Sequence, residues 1–166
     1  MQPDDSCMKT TTVTPEKALA NAMKLCARQE RSHHEIRMKL HVWRIGSADA
    51  EKIIAELIAL DFLNEERFAR AFARGKFRIL GWGKNKIKKG LAFHRISEKC
   101  IEKGLSEIDE KVYRQALMSL ARKKEQEYAG DEESMMLKKL SQFLYLRGFE
   151  SELIHDILFT RNTADE

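Results

Sequence analysis

The sequence predicts an all-α protein of three tandem, helix-turn-helix-like units of three helices each, stacked into an elongated, curved body. Three observations carry that expectation. Only 2 prolines and 8 glycines occur in 166 residues, while Ala, Leu, Glu, Lys and Arg are abundant. That composition favours helix and lacks the turn residues of a sandwich or barrel. Apolar residues recur at steps of three and four, and no segment reads convincingly as a strand. Finally, one apolar pattern occurs three times. Ile36, Leu40, Ile45, Ala50 and Ile54 are spaced four, five, five and four; so are Ile87, Leu91, Ile96, Ile101 and Leu105, and again Leu140, Leu144, Phe149, Ile154 and Leu158. In a chain that is 43% hydrophobic, an apolar residue at every position of all three series is hard to ascribe to chance. A three-helix unit of about 50 residues has a marginal core alone, so neighbouring units must share burial. Units stacked in this way extend rather than close into a sphere.

Each element has its own justification. Residues 1–13 are polar, Thr-rich and aperiodic and are expected to be a disordered tail, with a second tail at 161–166. The first unit is expected at 14–60. Thr14-Pro15-Glu16 supplies an N-cap, a proline at the first helical position and an acidic first turn, and Ala18, Leu19, Ala22, Met23 and Cys26 continue that helix. Ser32 and Glu35 have capping-box spacing, opening a second helix through Ile36 and Leu40. Gly46-Ser47 breaks the chain before a third stripe of Ala50, Ile53, Ile54, Leu57 and Ile58.

The second unit is expected at 61–105. Asn64 caps a helix whose buried side is Phe68, Ala71, Phe72 and Ile79, with Glu65 and Glu66 at its positive end. Gly75 weakens this helix and Gly81-Trp82-Gly83 ends it; further helices follow at about 84–94 and after Ser97. The third unit is expected at 106–160. Ser106 opens a long helix through Val112, Ala116, Leu117 and Leu120, Gly130-Asp131 interrupts, and two helices cover about 134–147 and 150–159.

Charge is distributed unevenly. From Arg67 to Ser97 there is no acidic residue and there are ten basic ones: Arg67, Arg70, Arg74, Lys76, Arg78, Lys84, Lys86, Lys88, Lys89 and Arg95. The remainder of the chain holds 20 basic and 26 acidic residues, a net −6 within a protein of net +4. Such a cationic block is the footprint of a polyanion or an acidic protein surface, since a merely solvated helical face would carry acidic partners. Arg67, Arg70, Arg74 and Arg78 follow at helical steps and line one side. Lys84, Lys86, Lys88 and Lys89 fall on the next helix, where Lys86 and Lys89 flank core Ile87, so that one of them is only partly exposed.

Other chemistry is sparse. Cys7, Cys26 and Cys100 are odd in number and widely separated, which fits reduced thiols in a reducing compartment. No apolar run approaches the roughly 18 residues of a membrane span, and Met1-Gln-Pro-Asp-Asp is no signal peptide, so a cytoplasmic protein is expected. Gly81-Trp82-Gly83-Lys84 lacks the spacing and preceding strand of a phosphate-binding loop, although a helix N-terminus beside it could still take a phosphate. His33, His34 and His41 have no metal-ligand spacing and are expected at the surface. Met135 and Met136 are core filler or a partner surface. No catalytic constellation, cofactor site or metal site is expected, and the chain reads as a non-enzyme.

Leu60-Asp-Phe-Leu-Asn-Glu-Glu-Arg-Phe-Ala69, the cationic helix, the Trp82-Gly83 turn, Lys86-Ile87, Leu91 and Leu144-Tyr-Leu-Arg-Gly-Phe149 together resemble the RecX regulatory proteins of bacteria, across about residues 16–159. The most specific part is Phe62-Leu63-Asn64-Glu65-Glu66-Arg67-Phe68-Ala69, similar to that family's aromatic-Leu-Asp-Asp-x-Arg-Phe-Ala motif. The family places a glycine before the hydrophobic residue that follows each middle helix. Here only Gly148 keeps it, and Arg44 and Arg95 stand at the equivalent places, where a left-handed backbone would cost about 1 kcal/mol each. The resemblance implies three tandem three-helix repeats and a monomeric modulator of RecA, the recombinase that polymerises on single-stranded DNA. It implies binding in the filament groove and limiting filament extension, ATP hydrolysis and strand exchange, hence a place in regulating DNA repair, homologous recombination and the SOS response. Whether the basic middle repeat meets acidic RecA surface or single- or double-stranded DNA stays open. The rival reading is a stand-alone helix-turn-helix DNA-binding regulator, with Lys84, Asn85 and Lys86 opening the reading helix.

Overall fold

In a computed structural model, residues 13–159 are described. The expected tails therefore lie outside the described residues, apart from Val13. Nine helices occur among the described residues: α1 (Pro15–Arg28), α2 (His33–Val42), α3 (Ser47–Ala59), α4 (Glu65–Leu80), α5 (Lys84–Phe93), α6 (Glu98–Leu105), α7 (Glu110–Glu127), α8 (Glu133–Leu146) and α9 (Ser151–Phe159). They fall into two compact units, Met1–Asn64 and Glu65–Glu166.

In the first unit, α1 and α2 both pack on α3. Thr14 accepts the Lys17 amide at the start of α1. Ser32 and Glu35 form the complete capping box of α2, the Ser32 hydroxyl accepting the Glu35 amide at 3.0 Å and the Glu35 carboxylate accepting the Ser32 amide at 2.9 Å. Ala18, Ala22, Ile36, Leu40, Ile53, Ile54 and Leu57 close the core between them. Outside it, Arg37 holds Glu51 in a two-pronged pair that ties α2 to α3.

The second unit has one continuous core running from Phe68 to Leu158 through α4–α9, so the burial that a lone helix triplet could not supply is shared. All fifteen residues of the recurring pattern are buried except Leu105, which is half-buried against this core.

That pattern marks three copies of one reversal. After α2 the Ile45 amide donates to the Leu40 carbonyl (3.0 Å) and the Arg44 amide to His41 (2.9 Å). After α5 the same bonds join Ile96 to Leu91 (3.2 Å) and Arg95 to Ala92 (2.9 Å); after α8 they join Phe149 to Leu144 (3.2 Å) and Gly148 to Tyr145 (2.8 Å). A helix end closed by this pair of bonds needs a left-handed residue, and Arg44 (φ 59), Arg95 (φ 58) and Gly148 (φ 91) provide it. The two arginines thus carry the strained backbone their position in the pattern predicts.

Four expectations for individual residues need correcting. Ile58, placed in the apolar stripe of α3, is 45% exposed, one place beyond buried Leu57. Ser106 caps the C-terminus of α6, donating its hydroxyl to the Lys103 carbonyl, and Asp109 opens α7 by accepting the Val112 amide at 2.9 Å. Ile79 is 81% exposed, because the buried line of α4 is Ala69-Ala73-Phe77 and a residue two places beyond Phe77 turns about 200° away. Val112 is likewise exposed, one place before the buried line Tyr113-Leu117-Ala121. No helix among the described residues is long and apolar enough to cross a membrane.

Candidate functional site

Five of the ten cations of the middle segment fall on α4, four on α5, and Arg95 in the turn after α5. Their surroundings sort them into groups with different chemistry.

Those paired with carboxylates come first. Arg70 binds Glu66, one turn before it on α4, at 2.9 Å, and also Glu107 in the turn between α6 and α7. Arg74 meets the other oxygen of Glu107 at 3.2 Å, and Lys103 of α6 closes the chain on Glu66. The Glu66 carboxyl is held below the usual carboxylate range, mainly by Lys103 and then by Arg70, while Glu66 and Glu107 raise Arg70. This ladder braces α4 against α6, where the two helices make their most extensive contact. Lys84 pairs with Glu110, and Lys88 with Glu98, which raises the Lys88 ammonium. Arg67 is half-buried and engaged within the fold.

A second group sits on aromatic faces. The Lys76 ammonium lies 5.0 Å from the centre of the Trp82 ring and 5.1 Å from that of Phe72, and the Lys86 ammonium lies 4.9 Å from Trp82. Lys86 also reaches the Leu146 carbonyl at 3.5 Å. An aromatic face fixes a cation without neutralising it, so these charges remain available to an anion. Arg78, Lys89 and Arg95 are exposed, and no carboxylate pairs with them among the described residues. Lys86 is half-buried and Lys89 exposed, as their places beside Ile87 require.

The start of α5 is already occupied by the protein itself. The Gly83 amide donates to the Arg147 carbonyl (2.8 Å), the Asn85 amide to the Gly148 carbonyl (3.0 Å), and the Lys84 amide to the Tyr113 hydroxyl (2.9 Å). The amides that open a helix without partners are therefore bonded to the α8–α9 turn and to Tyr113. This excludes the phosphate site considered at Gly81-Trp82-Gly83-Lys84, and it seats the N-terminus of the only candidate reading helix against protein. Tyr113 is fully buried between Phe77 and Phe149 and donates to Glu150 at 2.6 Å; burial, and then Glu150, push its hydroxyl well above the ordinary tyrosine value.

The contact also explains why Gly148 is a glycine where Arg44 and Arg95 are not. A Cβ on Gly148 would lie 2.3 Å from the Lys86 Cβ, and one on Gly83 would lie 2.3 Å from the Gly148 carbonyl. Ser32 holds the place in α2 that Gly83 holds in α5, and there a serine caps its own helix.

Between α5 and the C-terminal end of α8, this docking leaves a groove of 580 Å³ lined by Asn85, Lys86, Lys88, Lys89, Ala92, Tyr145, Leu146 and Gly148. Tyr145 and Leu146 are 59% and 65% exposed. Sequence reasoning missed both; their signal was an aromatic and a leucine placed off the buried Leu140-Leu144 line of α8. Met135 is exposed at the opposite end of α8, and Met136 is half-buried.

Two family models match this chain: RecX, second three-helix domain, over residues 64–105, and RecX, third three-helix domain, over residues 112–158. The chain belongs to the RecX family. Regulatory protein RecX of Prosthecochloris aestuarii is 32% identical over 150 residues, spanning 90% of this chain and 93% of that relative. Its counterpart from Chlorobium phaeobacteroides is 32% identical over 143 residues, spanning 86% and 92%. The crystal structure of RecX from Lactobacillus salivarius superposes with a TM-score of 0.79 at 25% identity, covering 90% of this chain and 97% of that one. The cationic α4–α6 segment of this chain is thus its second RecX three-helix domain, and the α7–α9 segment on which α5 docks is its third.

Proposed function

We propose that this RecX protein modulates RecA, binding the RecA–single-stranded DNA filament and limiting its extension, ATP hydrolysis and strand exchange. The observation that carries this reading is the match to RecX regulatory proteins along nine-tenths of the chain. The surface chemistry supports it: Lys76, Lys86, Arg78, Lys89 and Arg95 offer charge that no carboxylate among the described residues cancels, suited to acidic protein or to phosphate. Regulation of a filament needs only differential binding to its states, so several modest contacts made at once suffice. The test is to add the purified protein to RecA on single-stranded DNA and follow ATP hydrolysis and filament length. Both should fall with increasing protein, and no effect at saturation would defeat the reading.

A stand-alone duplex reader is the weaker account. Its reading helix would have to be α5, whose N-terminus is seated on the α8–α9 turn.

A further inference from the structure

The groove between α5 and α8 joins two features that neither helix has alone. One wall carries ammonium groups from Lys86, Lys88 and Lys89; the other is an apolar surface with the exposed ring of Tyr145 beside Leu146. No carboxylate among the described residues lines it. Lys86 is held in place by the Trp82 face and the Leu146 carbonyl, Lys89 is exposed, and Lys88 carries Glu98 at the rim. A phosphate answers the lysines, and a flat base answers the ring and the leucine. A duplex could use only the first, because its bases are stacked inside. Grooves that alternate cations with exposed aromatic rings suit unpaired strands, where every base offers a face for stacking.

We infer that this groove binds single-stranded nucleic acid, with a base stacked on Tyr145 and neighbouring phosphates met by Lys86 and Lys89. This deepens the reading above, since it rests on the second-domain cations being a contact surface. It also moves the contact from the α4 arginines, where Glu107 occupies Arg70 and Arg74, to the junction of α5 with α8.

The experiment uses the full chain without RecA, so its failure is separate from failure of the filament assay. Fluorescence anisotropy with an oligothymidine and with a duplex of equal length is measured across a salt series. Tyr145→Ser should weaken oligothymidine binding by about 5- to 150-fold, the range expected for loss of one stacked base, and Tyr145→Phe should restore it. Duplex binding should be indifferent to either change. Lys86→Gln with Lys89→Gln should flatten the slope of log K against log salt by about 1.4, at roughly 0.7 per phosphate on a single strand. Lys89→Gln alone, at an exposed position, gives half of that without touching Trp82. Lys52→Gln in the first unit is the control.

Absence of oligothymidine binding at low salt would overturn the proposal. So would binding unchanged by Tyr145→Ser and by the lysine changes. Preferential, Tyr145-dependent capture of a glutamate-rich peptide containing phenylalanine would overturn it in favour of a protein ligand.

Discussion

Replacing Gly83 by alanine tests whether the α5–α8 docking is as close as described. The new Cβ would sit 2.3 Å from the carbonyl carbon and oxygen of Gly148 and from the Phe149 amide nitrogen, all backbone atoms that cannot swing aside. Carbon atoms rest about 3.5–4.0 Å apart, so the two segments must separate by more than about 1 Å. That separation breaks the 2.8 Å bond from Gly83 to Arg147 and the 3.0 Å bond from Asn85 to Gly148. A buried amide deprived of its partner costs about 1–3 kcal/mol, so the change should cost about 2–6 kcal/mol, a large share of the roughly 5–15 kcal/mol that stabilises an ordinary domain. Gly75→Ala is the contrast, since a Cβ there meets nothing within 4 Å and α4 is helical around it. It should stabilise by about 0.5–1 kcal/mol. Urea denaturation followed by far-ultraviolet circular dichroism reads both. A Gly83→Ala midpoint equal to that of the parent would show that α5 does not meet the turn backbone to backbone, and the explanation of Gly148 would fall with it.

Further predictions concern the strained turns, the buried tyrosine and the ion-pair ladder. Arg44→Gly and Arg95→Gly should each raise stability by up to about 1 kcal/mol by relieving a left-handed side-chain residue, whereas Gly148→Ala should lower it by more than that; denaturant midpoints decide. Tyr113→Phe leaves the Lys84 amide without its acceptor and should cost about 1–3 kcal/mol. Because the folded Tyr113 hydroxyl is raised above its unfolded value of 10.0, its contribution is present below pH 10 and lost as pH climbs beyond it. Parent stability should therefore fall more steeply than that of Tyr113→Phe in alkaline denaturation series. Glu66 is depressed below 4.5, so its contribution is present above that pH and lost on acidification below it; Glu66→Gln should flatten the acid limb of the stability curve. Glu107→Gln frees Arg74 and leaves Arg70 on Glu66 alone, and should steepen the salt dependence of retention on a heparin column.

The fold was legible because its repeated part lies in hydrophobic spacing, which a one-dimensional sequence displays directly. The five-residue step from Leu40 to Ile45, from Leu91 to Ile96 and from Leu144 to Phe149 is the hydrogen bond that closes each turn, so periodicity and backbone geometry are one signal seen twice. Errors arose at the ends of apolar lines: α4 buries both Phe68 and the line Ala69-Ala73-Phe77, with Phe72 packed beside them, and the Phe68-Phe72 line runs out to solvent by Ile79. Ser106 misled because serine suits either end of a helix, and Asp109 three residues later was the stronger cap. The candidate site was legible only as a count of charges. Which of those charges are cancelled depends on Glu66, Glu98, Glu107 and Glu110, of which the last three lie beyond the basic block in sequence and return to it through the fold.

A run without acidic residues is therefore not the same thing as an anion-binding surface. The arginine line of α4 looks strongest in sequence because helical spacing aligns it, yet alignment also lets one carboxylate, Glu107, serve Arg70 and Arg74 together. The lysines around Trp82 look weaker because nothing in the spacing links Lys76 to Lys86. The indole brings them together, anchors both ammonium groups and leaves their charge intact. An incoming phosphate must displace a carboxylate to reach Arg70, but needs only to shed water to reach Lys86. On that physical ground the contact we propose lies around Trp82 and the groove that α5 makes with α8, rather than on the arginine line of α4.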